Sequence, residues 1–309
     1  MDISVVIPAY NEEKDIPELH NKLTSVLSEL KKKYEIIFID DGSTDSTFRE
    51  LMKIKKKDRH TRIIKFRKNF GQTASWDAGF RQSKGRMIIT MDSDLQNDPA
   101  DIPRLIKKLE QGYDVVSGWR YKRKDSFTKI LFSGFSRFLR KRIIDDKIHD
   151  SGCSLKVYRR ECIQDLYLSG EMHRYITEIL ALRGFRIGEE KINHQPRKHG
   201  QTKYSLIRLP KGFLDLIVIA FWQKYSARPI HIFGFMGFSL GLFGLAMGIW
   251  SVYLKLFHNQ DLTETFVPML AIISVILGVQ FLVSGILADI AIKTYYRGGQ
   301  KSYYIEKIY

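Results

Sequence analysis

Two long runs without charged side chains constrain this 309-residue chain more than any other feature of its sequence. Residues 230–254 contain no Asp, Glu, Lys or Arg, and neither do residues 265–288. Because an α-helix rises about 1.5 Å per residue, each run is long enough to cross a hydrocarbon core of about 30 Å. We therefore predict a membrane protein with two transmembrane helices near its C-terminal end.

Most of the positive charge precedes these two runs. Residues 1–229 contain 45 of the 50 Lys and Arg and 30 of the 34 Asp and Glu, a net charge of +15. Such an excess favours an anionic partner, which can be nucleic acid, anionic lipid or a phosphorylated substrate. Lys and Arg also flank the two runs, whereas the loop between them contains one Lys and two acids. The positive-inside rule therefore predicts a cytoplasmic N-terminal part.

The first 118 residues alternate short apolar runs with helix-compatible spacing. The predicted strands are 3–7, 35–39, 62–65, 87–91 and 114–117, and the predicted helices are 16–30, 46–56, 72–82 and 102–110. This alternation predicts right-handed βαβ units, and so an α/β fold with a mainly parallel sheet and helices on both faces. With 44% apolar residues and only 2 Cys, the composition excludes a disordered chain and a disulfide scaffold.

Polar clusters follow the first, second and fourth predicted strands, where ligands bind in parallel sheets. The carboxylates of Asp92 and Asp94, after the fourth strand, are hard oxygen donors that suit Mg²⁺ or Mn²⁺. Asp40 and Asp41, after the second, are typical of acids that accept hydrogen bonds from a nucleoside. A tight turn followed by a helix N-cap explains the same residues, and both interpretations stay open.

Two basic segments precede the first apolar run. Residues 119–142 contain nine Lys and Arg against one acid, with Phe and Leu side chains roughly on one helical face. This pattern is typical of an amphipathic helix on a membrane surface, although a solvated helix packed on the sheet has the same pattern. Residues 205–228 lead directly into the first run and predict an interfacial helix.

Three motifs of the N-terminal part, in this order and spacing, resemble family-2 glycosyltransferases of GT-A fold. They are residues 5–13 (VVIPAYNEE), 40–45 (DDGSTD) and 92–96 (DSDLQ). The resemblance continues through residues 149–153 (HDSGC) and 197–204 (RKHGQTKY). With two C-terminal spans, the chain looks like the branch of polyprenyl-phosphate hexose synthases that is related to dolichol-phosphate mannose synthase.

The resemblance implies a Rossmann-like GT-A domain that binds a nucleotide sugar together with Mg²⁺ or Mn²⁺. The residues expected to hold the nucleoside are Pro8, Tyr10, Glu12 and Asp41. Asp92, Asp94 and Gln96 are expected to hold the metal and the donor diphosphate, which makes Asp94 a catalytic candidate. Asp41 and its neighbours are compatible with either uridine or guanosine. Of the two donor types we favour a UDP-hexose, with GDP-mannose as the alternative.

The resemblance also implies an acceptor site for a lipid monophosphate. Arg197 and Lys203 match the basic residues near the active site of this family, and Asp150 matches its candidate base. Because two polyanions repel each other, we expect Arg120 and Arg137 to help bring the acceptor phosphate beside the donor diphosphate. Transfer would invert the anomeric centre and would yield a lipid-phosphate-linked sugar.

The resulting organisation has four parts: a cytoplasmic GT-A domain at 1–204, an interfacial helix at 205–228, a transmembrane hairpin at 229–292 and a basic cytoplasmic tail at 293–309. We expect a multi-pass protein of the cell membrane, or of the endoplasmic reticulum membrane in a eukaryote, and relatives suggest a homo-oligomer.

Three other functions compete with this interpretation. A processive polysaccharide synthase has a similar N-terminal domain but needs a Gln-x-x-Arg-Trp motif and usually more spans, and the sequence contains neither. A membrane-tethered nucleic-acid-binding protein would suit the charge, but no such motif appears and we expect no nucleic-acid partner. A non-catalytic protein that kept the fold is disfavoured by the intact Asp92, Asp94 and Asp150.

Overall fold

The computed structural model describes residues 1–121, 148–164, 166, 168, 170, 172–196, 229–258, 261–263, 265–298 and 305–309. The chain divides into two compact units: Met1–Asp215 with Lys301–Tyr309, and Leu216–Gln300. In sequence, the second unit is therefore an insertion in the first. The predicted interfacial helix at 205–228 and most of the basic segment at 119–142 lie outside the described residues.

The first unit is built on one eight-stranded mixed sheet. Its strands are β1 Ile3–Ala9, β2 Tyr34–Asp40, β3 Thr61–Phe66, β4 Met87–Thr90, β5 Val115–Arg120, β6 Lys156–Arg159, β7 Ile187–Ile192 and β8 Ile305–Ile308. Their order across the sheet is β7-β5-β6-β4-β1-β2-β3-β8. The pairs β4–β6, β5–β6 and β3–β8 are antiparallel and the other four are parallel. The predicted α/β fold with a mainly parallel sheet is confirmed.

Helices cover both faces of this sheet. They are α1 Ile16–Glu29, α2 Thr47–Lys57, α3 Gln72–Gln82, α4 Ile102–Glu110, the four-residue α5 Arg160–Ile163 and α6 Ile176–Leu182. Because side chains alternate along a strand, Val5 lies in the core with Leu23 of α1, whereas Val6 lies in the core with Trp76 of α3. A strand buried on both faces is a nearly continuous apolar run, which explains the runs that predicted β1 and β2.

Three strands escaped prediction. The four-residue β6 lies antiparallel between β4 and β5, and its neighbours in the sheet decide its place. β7 has the sequence IGEEKI, in which two acids and one Lys hide the apolar pattern. β8 lies within the segment 293–309 that was predicted as a tail, and it pairs with the edge strand β3. There the Tyr309 N–H donates to the Ile63 carbonyl at 2.8 Å.

The second unit contains two long apolar helices, α7 Pro229–His258 and α8 Val267–Gly298. Stretches of 29 residues in α7 and 25 in α8 are apolar enough to cross a membrane. Glycines let the two helices pack closely, since a Cβ at Gly237 would lie 2.6 Å from the Gly278 carbonyl oxygen. A Cβ at Gly244 would lie 2.8 Å from the carbonyl oxygen of Ala271. These glycines therefore serve contacts within the hairpin.

Candidate active site

The carboxyl ends of four strands meet at one edge of the sheet, and the predicted site residues follow them. β1, β2 and β4 are mutually parallel, and β5 has the same direction as β4 because both are antiparallel to β6. Tyr10 follows β1, Asp41 follows β2, and Asp92 and Asp94 come shortly after β4. Arg120 is the last residue of β5. The topology thus collects these side chains at the edge where parallel sheets bind ligands.

Loops after β1 and β2 are joined by hydrogen bonds. The Asn11 side-chain oxygen accepts from the Thr44 N–H at 2.9 Å, and the Thr47 hydroxyl oxygen accepts from the Glu12 N–H at 2.8 Å. Asn11 has a φ of 57°, a left-handed conformation that Asn tolerates better than most residues. These contacts fix the predicted nucleoside-binding segment of Tyr10 and Glu12 against the acidic loop after β2.

Asp41 is buried and held by backbone donors. Its two carboxylate oxygens accept from the Phe70 N–H at 2.7 Å and from the Gly71 N–H at 2.9 Å. Burial raises the pKa of Asp41 to about 6, because desolvation of the carboxylate outweighs the two hydrogen bonds that favour its ionised form. The neighbouring Gly42 has a φ of 69°, and a Cβ there would lie 2.4 Å from the backbone carbon of Lys68. Asp41, which was predicted to bind the nucleoside, therefore organises the loop after β3.

That loop also reaches Asp92. The Gln72 side-chain amide donates to the Asp92 carboxylate at 2.6 Å, and Gln72 is the first residue of α3. Residues 70–72 thus contact both Asp41 and Asp92. Sequence reasoning missed Gln72. The polar residues 67–69 after the third strand could have indicated that this loop also belongs to the site. The segment therefore ties the loop after β2, through Asp41, to the acidic motif after β4, through Asp92.

Asp94 is buried in a tight turn. Its carboxylate accepts from the Gln96 N–H at 3.2 Å, and only 7% of Asp94 is exposed. Leu95, between them, has a φ of 59° and a side chain buried in the core. A left-handed conformation at Leu is costly, so the buried contacts of this side chain must offset the strain. The turn is thereby fixed at the sheet edge.

The donor atoms of this turn fit a divalent cation that arrives with a phosphorylated ligand. No group of three or more His, Cys, Asp or Glu suited to a metal occurs among the described residues. Asp92 and Asp94 supply two carboxylates, and Mg²⁺ is typically held by one or two carboxylates with phosphate oxygens and waters completing the shell. The pair therefore suits a metal–diphosphate ligand better than a permanently bound ion.

Arg120 and Asp150 form a bidentate ion pair. The Arg120 Nε donates to one Asp150 oxygen at 2.6 Å, its Nη2 donates to the other at 2.8 Å, and its backbone N–H adds a bond of 3.2 Å. Burial lowers the pKa of Arg120, but Asp150 and the nearby Asp92 outweigh this and raise it above its usual range. The guanidinium therefore lies within electrostatic reach of Asp92, which belongs with Asp94 to the acidic turn after β4. A guanidinium has five N–H donors and these side-chain bonds use two, so the cation keeps capacity for an anion.

Residues 193–195, which precede the basic motif at 197–204, lie beside the acidic turn. The Gln195 N–H donates to the Gln96 carbonyl at 2.9 Å, and His194 forms an antiparallel bridge with Asn97. The Asn193 N–H donates to the Asp101 carboxylate at 2.8 Å. Three predicted phosphate-binding residues, Arg137, Arg197 and Lys203, lie outside the described residues.

Comparison with known proteins identifies the family. The profile described as Glycosyl transferase family 2 matches residues 4–167. The chain belongs to this family. Dodecaprenyl-phosphate galacturonate synthase of Rhizobium johnstonii is 37% identical over 99% of this chain and 92% of that protein. Undecaprenyl-phosphate 4-deoxy-4-formamido-L-arabinose transferase of Salmonella choleraesuis is 33% identical over 93% of this chain and 87% of that protein.

Solved structures agree with the family-2 fold. Glucosyl-3-phosphoglycerate synthase of Mycobacterium tuberculosis, crystallised with Mn²⁺ and UDP-glucose, matches 72% of this chain and 78% of its own with a TM-score of 0.55. At 18% identity this similarity concerns the fold alone. The sequence motifs, the sheet order and the family match therefore agree on a glycosyltransferase domain of GT-A type.

Within the family-2 domain the structure brings together one set of predicted residues and adds others. The predicted residues that it places at the carboxyl edge of the sheet are Pro8, Tyr10, Glu12, Asp41, Asp92, Asp94, Gln96, Arg120 and Asp150. The added residues are Gln72, which donates to Asp92, and Glu189, which accepts from the Asp150 N–H. Glu189 belongs to β7, a strand that sequence reasoning missed, so no local signal marked it.

Proposed function

We propose that this chain transfers a sugar from a nucleoside-diphosphate sugar to a polyprenyl phosphate at the cytoplasmic leaflet of a membrane. The acidic turn of Asp92 and Asp94 beside the Arg120–Asp150 pair carries the proposal, because it offers a donor-diphosphate site and a cation for a second phosphate. The names of the two curated relatives, each a polyprenyl-phosphate enzyme, support the acceptor class. Two helices long enough to cross a membrane support the location.

Asp92, Asp94 and Gln96 are the residues proposed to hold Mg²⁺ or Mn²⁺. When bound, this cation would neutralise the charge that develops on the departing nucleoside diphosphate. Burial of Asp94 in the acidic turn excludes water and fixes its carboxylate before the substrates bind. Asp41, on the neighbouring loop, is proposed to accept a hydrogen bond from the nucleoside.

Asp150 is proposed to orient Arg120 instead of abstracting a proton. The second pKa of a phosphate monoester is about 6, so the acceptor is already largely anionic at neutral pH and needs little help from a base. Both Asp150 oxygens accept from Arg120, which holds the guanidinium in one orientation. Arg120 then offsets the repulsion between the two phosphate groups. Attack opposite the leaving diphosphate inverts the anomeric centre and gives a β-linked product from an α-linked donor.

The connectivity supports a hairpin of two membrane crossings. β1–β7 precede the apolar helices, and β8 follows them but pairs with β3 of the same sheet. A chain that leaves a domain, enters a membrane and returns to that domain must cross an even number of times. With the positive-inside rule, this favours a multi-pass protein whose glycosyltransferase domain is cytoplasmic.

The experiment that tests this function is a transfer assay with the purified full-length protein in lipid nanodiscs. Undecaprenyl phosphate would be offered with labelled UDP-glucose, UDP-galacturonate and GDP-mannose, each with Mg²⁺ or Mn²⁺. We expect one donor to yield a labelled lipid that mass spectrometry identifies as a polyprenyl monophosphate sugar. A label that appears only in free sugar or in a growing polysaccharide would contradict the proposal.

A further inference from the structure

The loop that carries Asp150 is held from the opposite side by Glu189 of β7. One Glu189 carboxylate oxygen accepts from the backbone N–H of His149 at 2.8 Å and from that of Asp150 at 3.1 Å. The other lies 2.7 Å from the His149 ring Nδ1. Glu189 is therefore bonded to both residues whose backbone places the Asp150 side chain, and its own side chain is only 13% exposed.

Two further contacts limit the movement of this loop. The His149 ring stacks on Trp119 of β5, with ring centroids 4.3 Å apart and an interplanar angle of 16°. Two residues after His149, the Ser151 carbonyl accepts from the Nζ of Lys156 at 2.8 Å. Lys156 belongs to β6 and is buried. Strands β5, β6 and β7 thus all contact the loop, which ties it to the sheet at three neighbouring strands.

The register of β7 explains why Glu189 can reach the loop. Glu189 lies opposite Ser117 of β5, two residues before Trp119, so Glu189 and Lys191 share one face of the sheet. The neighbouring Glu190 has its side chain on the other face, opposite Gly118. Within the part of the chain that the structure describes, no hydrogen bond joins Glu190 to the Asp150 loop. These two adjacent acids therefore form a matched pair for experiment.

We propose that Glu189 is a positioning residue, which fixes the His149–Asp150 backbone so that Asp150 meets Arg120 in bidentate geometry beside the acidic turn. The inference rests on the proposed function for the role of Arg120 towards the acceptor phosphate. Without Glu189, two backbone N–H groups lose their acceptor and the loop can rotate, so the ion pair shifts away from the reacting groups. A misplacement of about 1 Å in a catalytic constellation can lower a rate by about a hundredfold.

The test compares substitutions at Glu189 in the full-length protein. Glu189→Ala and the shorter Glu189→Asp should lower kcat by about tenfold to a hundredfold and leave KM for the nucleotide sugar within about twofold. Glu189→Gln should stay near the wild type, because its amide oxygen still accepts from both N–H groups. Glu190→Ala is the matched control and should leave kcat unchanged. An equal loss in Glu189→Gln and Glu189→Ala would overturn the inference.

A double-mutant cycle separates positioning from a general structural effect. If Glu189 acts through Asp150, Glu189→Ala should cause no further loss of kcat in an Asp150→Ala background. Losses that multiply would overturn the inference. Should Glu189→Ala fail to fold, the same cycle is run with Glu189→Asp.

Amide hydrogen exchange provides a readout that needs no activity. Exchange at residues 148–152 should be faster in Glu189→Asp than in the wild type and unchanged in Glu190→Ala; equal protection in all three would overturn the inference. A wild type that transfers no sugar to polyprenyl phosphate would instead refute the proposed function and leave this readout intact.

Discussion

Burial raises the pKa of Asp41, and the surrounding sequence does not reveal this shift. A carboxylate can accept about four hydrogen bonds, and the backbone of residues 70–71 takes up two of these positions on Asp41. Because desolvation raises its pKa to about 6, the ionised form that is proposed to accept from a nucleoside is present above that pH and is lost below it. If Asp41 binds the donor as proposed, donor binding should depend on pH near this value.

We therefore expect the affinity for a nucleotide sugar to fall as the pH is lowered through about 6. Protonation turns one carboxylate oxygen of Asp41 into a hydroxyl, which donates and is a weaker acceptor, whereas the diphosphate of a nucleotide sugar does not titrate in this range. Isothermal titration between pH 5 and 8 (about the range in which a carboxyl of raised pKa titrates) measures this. Asp41→Asn should bind weakly with a flat profile, whereas a profile identical to that of the wild type would contradict the prediction.

At the scale of elements, the segment that begins α3 connects two acids that the sequence presented as separate motifs. Local patterns predicted β1–β5 and α1–α4, because each carries its own apolar periodicity and its own turn residues. Gln72 could not be assigned in this way, since its contact with Asp92 spans 20 residues and depends on how α3 meets the sheet. The Arg120–Asp150 pair spans 30 residues, so the sequence supplied both residues but not their bond.

Gln72→Ala should weaken metal-dependent activity by releasing Asp92. Partners of metal ligands typically change metal affinity by about tenfold to a hundredfold when they are removed. We expect the Mn²⁺ concentration for half-maximal activity to rise by about tenfold at saturating donor, with a smaller change in the maximal rate. Gln82→Ala, at the other end of α3, is the control. An unchanged Mn²⁺ requirement in Gln72→Ala would exclude this role.

At the scale of the whole molecule, β8 returns the chain to the sheet of the first unit after the two apolar helices. β8 pairs with the edge strand β3 through backbone hydrogen bonds. Tyr309 packs against Phe48 of α2, with ring centroids 5.4 Å apart. No sequence pattern marked β8, because four residues containing a Glu and a Lys match a charged tail equally well. Its pairing depends on the free edge of β3, which exists only once the sheet has formed.

Removal of residues 305–309 should therefore destabilise the first unit and expose the β3 edge. We expect a lower Tm in detergent, by about 2–8 °C if the loss is about 1 kcal/mol or somewhat more, and more self-association through the open edge. Lys307→Thr keeps the backbone hydrogen bonds of β8 and is the matched control. Thermal unfolding with size-exclusion chromatography measures both effects, and an unchanged Tm with unchanged elution would contradict the role given to β8.

Single-turnover transfer by Asp94→Ala tests most directly whether the acidic turn after β4 supports sugar transfer to a lipid phosphate. The protein in nanodiscs would be mixed with labelled donor, Mn²⁺ and undecaprenyl phosphate, with Glu29→Ala, an exposed acid at the end of α1, as the control. We expect Asp94→Ala to lose at least about a hundredfold of the transfer rate and Glu29→Ala to retain it. Undiminished transfer by Asp94→Ala would contradict the account.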